Sequence, residues 1–326
     1  ESIHYIASSF SEYGGAKLAT EFLEPLKEKN YVPAILIKLA ELYENRNAYA
    51  EAIASYRVLL DFYPFHATAP QFFDSIVENY ETAEDDEAAI KTREEIITYF
   101  RPGSAWQHHY PSGNLSEAGL NSAKSNLVYL GTTFQALAQA ADSLQAYTVA
   151  IEKYLDYIQT FPKEENTSEI HYYLAECYYN TAVYDKAAAA YYDVTSLYAH
   201  SSYREKAAFN RIFSFVQLFQ PPDSTQVDTL IFKPFVLTSD SLALPVGNST
   251  AGNLLSASND FCTYFPESEW IDQVYMKFGE VLNTLQHYVY AAAAYQKVYD
   301  QKPASQYRPA AAINVGQCLF DGSYFD

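Results

Sequence analysis

Positive charge is scarce in this chain of 326 residues: 21 Lys and Arg stand against 40 Asp and Glu, a formal net charge of −19 at pH 7. Without a basic surface to displace counterions from phosphates, nucleic acid is excluded as a partner, and so is an anionic membrane surface. Such acidity keeps an extended molecule soluble and could also select a basic partner. Long apolar runs are missing as well. None approaches the ~20 residues of a membrane span, and no basic-then-apolar leader opens the chain, so no direct membrane span is expected. Only three cysteines occur; Cys177, Cys262 and Cys318 have no metal-ligand spacing and leave one over after pairing, so they read as small core residues. The chain opens on Glu1 and stops at Asp326 inside an incomplete pattern, so it reads as a fragment in which a missing signal peptide or lipid anchor carries no information.

Reactive chemistry is equally sparse. The one histidine pair, His108-His109, places adjacent rings that diverge on a helix and cannot chelate as an i, i+4 pair would. His4, His66, His171, His200 and His287 are scattered. Gly14-Gly15 lacks the flanking strand and wider glycine spacing of a phosphate loop and reads as a helix break. Glu84-Asp85-Asp86-Glu87 lacks the alternating ligands and central glycine of a calcium loop and reads as a solvated turn. No nucleophile-and-base arrangement can be singled out, so no catalytic residue, metal or cofactor is expected.

What is present is tyrosine, phenylalanine and alanine at helical spacing, including 31 Tyr and 20 Phe. The stretch from Glu169 to Ala199 shows the pattern. Leu174, Cys177 and Tyr178 recur every three or four residues on one helix; Asn180-Thr181 interrupt; Tyr184, Ala187, Ala188, Tyr191, Val194 and Leu197 form the face of a second helix. Alanine stands where two backbones approach and tyrosine where a gap must be filled. The same code runs from Pro33 to Pro64 through Leu39, Ala40, Tyr43, Tyr49, Ala52 and Tyr56. A shift of 37 carries Ala40, Tyr43 and Ala52 onto Val77, Tyr80 and Ala89, with Phe73, Ile76 and Ile96 in the remaining core slots. A third unit holds Phe134, Leu137, Ala138, Ala141, Tyr147, Ala150 and Tyr154, and its alanines lie 37 before Ala175 and Ala187. Another holds Phe278, Gly279, Leu282, Tyr288, Ala291 and Tyr295, with Gly316 one period later.

The pattern departs from this period in several places. Residues 2–30 hold a hairpin of their own, with Ile3, Ile6, Ala7 and Phe10 before Gly14-Gly15 and Leu18, Ala19, Phe22, Leu23 and Leu26 after it. From Arg101 the spacing predicts a polar loop through Gly113, then an unusually long helix from about Leu115 through Leu120, Ala123, Leu127 and Leu130. Pro221, Pro222, Pro234, Pro245, Gly247 and Gly252 forbid a continuous helix over 220–253, between a first helix at Arg204–Phe219 and a second at Leu254–Phe265. Within that insertion Val227 to Thr238 has strand character and could add to a partner's sheet edge or fold back on its own array. The organisation expected is therefore N-terminal repeats over 1–100, a loop and helix start over 101–130, central repeats over 131–219, the insertion over 220–253 and C-terminal repeats over 254–326.

On these residues the chain resembles the tetratricopeptide repeat family, and its closing Phe62-Tyr63-Pro64 and Phe161-Pro162 look like the variant of bacterial envelope proteins. The resemblance implies an all-α, right-handed solenoid of antiparallel helix pairs, whose first helices line a concave groove that reads a peptide or a partner's helix. Carried over position by position, that partner-binding face comprises Ile37, Glu41, Glu44 and Asn45; Asp74, Glu78 and Glu81; Gln135, Gln139 and Asp142; Tyr172, Glu176, Tyr179 and Asn180; and Met276, Glu280 and Asn283. The family's basic clamp for acidic tails is not evident. Asp228-Thr229-Leu230 and Asp240-Ser241-Leu242, with Asp223-Ser224-Thr225 as a looser match, look like an O-glycosylation acceptor of some Gram-negative envelope proteins, making Ser224, Thr229 and Ser241 candidate modification sites. The expected role is a non-catalytic scaffold or adaptor holding protein partners in a multi-subunit, bacterial envelope assembly, in the periplasm or at the cell surface. The alternatives are a helical-repeat enzyme or specificity subunit that holds a glycan or peptide in the groove, and a lipoprotein escort for outer-membrane proteins.

Overall fold

The structure is a computed structural model that describes residues 2–220, 250–301 and 304–322. The strand-like run 227–238 and the acceptor candidates Ser224, Thr229 and Ser241 lie outside the described residues. Within them every regular element is helical. The chain divides into two compact units, Glu1–Pro162 and Lys163–Asp326. The division falls between two hairpins, inside the segment 131–219.

The first unit contains α1 (Ser2–Tyr13), α2 (Gly15–Leu23), α3 (Val32–Glu44), α4 (Tyr49–Phe62), α5 (Ala69–Thr82), α6 (Asp86–Phe100), α7 (Ala105–His109), α8 (Asn114–Ala141) and α9 (Leu144–Thr160). Helices adjacent in sequence pack together, and because their connections are short they must run antiparallel. The second unit contains α10 (Thr167–Asn180), α11 (Tyr184–Leu197), α12 (Arg204–Leu218), α13 (Thr250–Tyr264), α14 (Ile271–Thr284), α15 (Tyr288–Gln301) and α16 (Arg308–Asp321), again packed in sequence order. All-α architecture built from antiparallel pairs is thus observed, with the long α8 of 28 residues where the periodicity predicts it.

Five hairpin turns share one backbone device. Asn47, Glu84, Asp142, Ala182 and Gln286 adopt φ of 56°, 57°, 49°, 58° and 62°. The next residue then donates its N–H to the carbonyl five residues back: Ala48 to Tyr43, Asp85 to Tyr80, Ser143 to Ala138, Val183 to Tyr178 and His287 to Leu282, at 2.9–3.1 Å. This left-handed cap satisfies carbonyls that the helix end would leave open. None of the five is glycine. In the acidic turn, Asp85 also accepts from Ala88 N–H at 3.1 Å and so caps α6, where its charge suits the helix N-terminus.

The small-large code is borne out in the seams. Ala40, Ala138, Ala150, Ala175, Ala187 and Ala291 are fully buried, as are Tyr154 and Tyr191. At Gly279 a β-carbon would come 2.6 Å from Tyr295 Cε1, so only a hydrogen fits between α14 and the ring on α15. At Gly316 a β-carbon would meet nothing within 4 Å.

Several expectations need correction. The stretch 101–113 is not simply polar loop: α7 lies within it, and Trp106 is buried against Phe100 (5.0 Å between ring centroids) and Tyr110 (4.8 Å) while its indole donates to Leu115 O at 3.2 Å. A single aromatic with an amphipathic tip anchored this segment, and such an anchor has no periodicity to reveal it. Ile3, Ile6, Phe22, Leu137 and Leu197 are exposed although their spacing placed them on core faces, and Ala141 is exposed as well. At helix ends and in the first hairpin an apolar residue can hold the right phase and still have no helix opposite it. Gly14-Gly15 does break the helix, with α1 ending at Tyr13 and Gly15 at φ 61°.

Candidate functional site

The residues carried over from the resemblance lie on α3, α5, α8, α10 and α14, but they divide into two sets. One set is spent inside the array. Glu44 on α3 accepts from Asn79 Nδ2 on α5 at 2.8 Å. Gln135 on α8 accepts from the Tyr154 hydroxyl of α9 at 2.6 Å. Glu176 on α10 accepts from the Tyr191 hydroxyl of α11 and from Asn210 Nδ2 of α12 at 2.9 Å. Asn283 on α14 accepts from Cys318 Sγ on α16 at 3.4 Å. These polar groups join successive helices where an unpaired one would be costly.

The Tyr191 node is a repeated device. Asn210 also reaches the Tyr172 hydroxyl at 3.1 Å. Burial pushes the Tyr191 and Tyr172 phenols well above their ordinary value, and the Glu176 charge adds to it. One hundred and four residues later, Tyr295 and Asn314 hydrogen-bond and Glu280 raises the same phenol after burial has done so. In the first unit Tyr56, pushed up to about 12 chiefly by burial, meets Ser75 and Glu44. Glu169, which sequence reading passed over, accepts from Tyr173 and Tyr203, each at 2.6 Å. The signal that could have revealed these nodes was the coincidence of Glu176, Tyr191, Tyr203-Arg204 and Asn210 with Glu280, Tyr295, Tyr307-Arg308 and Asn314 at one constant shift.

The other set faces solvent. In the first unit Asn45, Asp74, Glu78 and Gln139 are exposed, whereas Glu41 is half-buried and pairs with Lys38 at 2.8 Å. Asp74 keeps its exposure, yet neighbouring protein strips enough water from its carboxyl to raise it; the Glu78 charge adds and Arg93 opposes. Glu81 is committed to Arg93 at 2.7 Å, and that guanidinium lies 3.7 Å from the Tyr129 ring centroid. Asp142 is the left-handed cap of α8. In the second unit Asn180 is exposed, Tyr179 is half-buried edge-on to Tyr184 at 5.3 Å, and exposed Glu280 pairs with Lys277 at 2.5 Å. Ile37 and Met276 are half-buried, and Tyr172 is buried.

Among the described residues no group of three or more His, Cys, Asp or Glu could hold a metal, and no helix is long and apolar enough to cross a membrane. His108 is turned to Ser104 O at 2.7 Å, and His109 stacks on Phe65 at 4.2 Å. Burial raises the Cys177 and Cys262 thiols to about 12 and also raises Cys318, which leaves all three poor nucleophiles.

Two hairpins carry a family signature. Residues 34–66 and 169–201 match the tetratricopeptide repeat. Each match spans one pair of this repeat, α3–α4 in the first unit and α10–α11 in the second. No curated protein matches the chain. Solved structures similar to it include the C-terminal part of a TPR repeat-containing protein from Cytophaga hutchinsonii, 14% identical over 94% of this chain and 98% of that one, with a TM-score of 0.39. PilF of Pseudomonas aeruginosa is 11% identical over 86% of this chain and 96% of that one, TM-score 0.34. A tetratricopeptide repeat protein from Parabacteroides merdae is 12% identical over 98% of both chains, TM-score 0.29.

Proposed function

We propose that the protein is a non-catalytic scaffold or adaptor that holds protein partners in a larger assembly, and that the assembly belongs to a bacterial envelope. The observation that carries the first part is the division among first-helix polar residues. Glu44, Gln135, Glu176 and Asn283 are consumed by packing, while Asn45, Asp74, Glu78 and Gln139 of the first unit remain open to solvent, as do Asn180 and Glu280 of the second. The open face is anionic and amide-rich, which suits a basic partner or one that presents its backbone.

Affinity isolation of the full-length protein from its native cells, comparing wild type with the Asp74→Lys, Glu78→Lys double variant, tests this reading. Wild type is expected to retain a defined, salt-sensitive partner, and the variant to lose about tenfold in its recovery. Equal recovery of the same partners by the variant and by a second one carrying Asn180→Ala and Glu280→Lys overturns it.

The envelope location is supported by the Asp-(Ser/Thr)-apolar triplets and by the sequence resemblance. Peptides of the native protein that span Ser224, Thr229 and Ser241 are expected to carry added sugar mass. Unmodified peptides at all three positions remove the basis for a glycosylated envelope protein.

A further inference from the structure

Away from the first-helix face, a cleft of about 290 Å³ opens in the second unit, walled by Tyr192 and Ser196 of α11, Arg204 and Arg211 of α12, and Asp260 and Tyr264 of α13. Two of the chain's few cations converge here with one carboxylate opposite. Arg204 is fixed from behind, because its Nε donates to Thr195 O at 3.0 Å and its guanidinium lies 5.3 Å from the Tyr264 ring. The same tether recurs where Arg308 Nε donates to Tyr299 O at 3.0 Å. Both terminal nitrogens of Arg204 are without a hydrogen bond among the described residues.

Arg211 is only 16% exposed and is held flat against Tyr192 at 4.5 Å. Its Nη1 donates to Asp260 Oδ2 at 3.1 Å, but its buried Nε has no partner. Arg93 in the first unit also has an unpartnered Nε, yet both of its terminal nitrogens are taken, by Asn126 and Glu81. Arg211 differs in having its Nη2 uncommitted, and in standing at a cleft. Nε itself is shut off from the cleft, so the donors left for a ligand are Nη2 of Arg211 and the terminal nitrogens of Arg204, charged N–H groups that suit the two oxygens of a carboxylate. Asp260 pairs with Nη1 and repels a second negative charge, which favours a single carboxylate over a phosphate dianion.

We propose that this cleft binds a carboxylate, gripped by Nη2 of Arg211 with Arg204 as the second charge. The space fits an acidic side chain or a small dicarboxylate. This site is independent of the scaffold reading, since it is walled by α11, α12 and α13 and uses none of the open first-helix residues named above.

The test follows the arginine Nε–H resonances of the full chain by ¹H–¹⁵N NMR during titration with glutarate, with a capped Gly-Glu-Gly peptide, with inorganic phosphate, and with chloride at matched ionic strength. The Arg211 resonance is expected to move saturably with a carboxylate probe. Saturation by the peptide alone assigns a protein source, and saturation by glutarate alone a small molecule; either sustains the site. Arg211→Lys keeps the charge beside Asp260 but lacks the planar second terminal nitrogen, so its affinity, read from backbone amides of α12, is expected to fall about tenfold with helix content unchanged. Arg204→Gln is expected to weaken binding as well. An equal response to chloride, tighter binding of phosphate, or undiminished affinity in Arg211→Lys overturns the proposal.

Discussion

Above pH 10 the chain is expected to lose its helices in one cooperative step, with the buried phenols ionising in the same step. Burial, the largest cause in each case, raises Tyr56 and Tyr99 from 10.0 to about 12 and holds Tyr172, Tyr191, Tyr275 and Tyr295 higher still. Cys177 and Cys262 rise from 9.0 to about 12. The unfolded chain releases these protons from 9.0 and 10.0 upward, while the folded chain keeps them. Between those values and about 12 the folded state therefore binds more protons, and stability falls as pH rises. Their contribution is complete below pH 9 and drains away through the window up to about 12. Because several nodes share charged neighbours such as Glu176, ionising one burdens the next. Parallel titration of phenolate absorbance and far-ultraviolet circular dichroism checks this. Complete ionisation of all the tyrosines with the helix signal intact would contradict the burial described.

Ala187→Arg should destabilise the second unit by about 4 kcal/mol, whereas Ala189→Arg, two residues along the same helix, should change stability by less than about 0.5 kcal/mol. Ala187 is 0% exposed and belongs to one buried cluster with Ala175 of α10, Tyr191 and Val194 of α11 and Ala207 of α12. A guanidinium there would be buried without a partner and would force the backbones apart. Ala189 faces solvent. Thermal unfolding of the two variants beside wild type decides the point. Equal midpoints for all three would mean that the helix register is misassigned.

This pair of alanines also shows how far the sequence could be read. In the run Ala187-Ala188-Ala189-Ala190 composition is uniform, and only the phase set by Tyr184, Tyr191 and Val194 distinguishes the buried alanines from the exposed one. The same phase failed at Leu197 and Leu137, which keep the period but are exposed. Periodicity reports which side of a helix faces inward. It does not report whether a neighbouring helix reaches that far along it.

For the candidate surface, the sequence selected the helices and left the side chains undivided. Glu44 and Asn45 are adjacent acceptor-bearing residues at one helix end, yet Glu44 is bonded to Asn79 and Asn45 is exposed. Glu176 and Glu280 occupy equivalent positions, yet one is locked to Tyr191 and Asn210 and the other is solvent-facing with Lys277. In the second comparison residue type and spacing were the same. The outcome depended on a partner contributed by a different helix.

The hairpins themselves, their period and the long α8 were determined by sequence alone, because alternating small and large residues at helical spacing can be buried only by a second helix of the same kind. The turns were decided by tertiary structure. Glu84, Ala182 and Gln286 have no intrinsic preference for a left-handed backbone, a conformation that costs about 1 kcal/mol in a residue with a β-carbon. They adopt it because the two packed helices fix where the chain must leave one and enter the next. Trp106 and the cleft at Arg211 were likewise decided only in three dimensions, where groups remote in sequence meet.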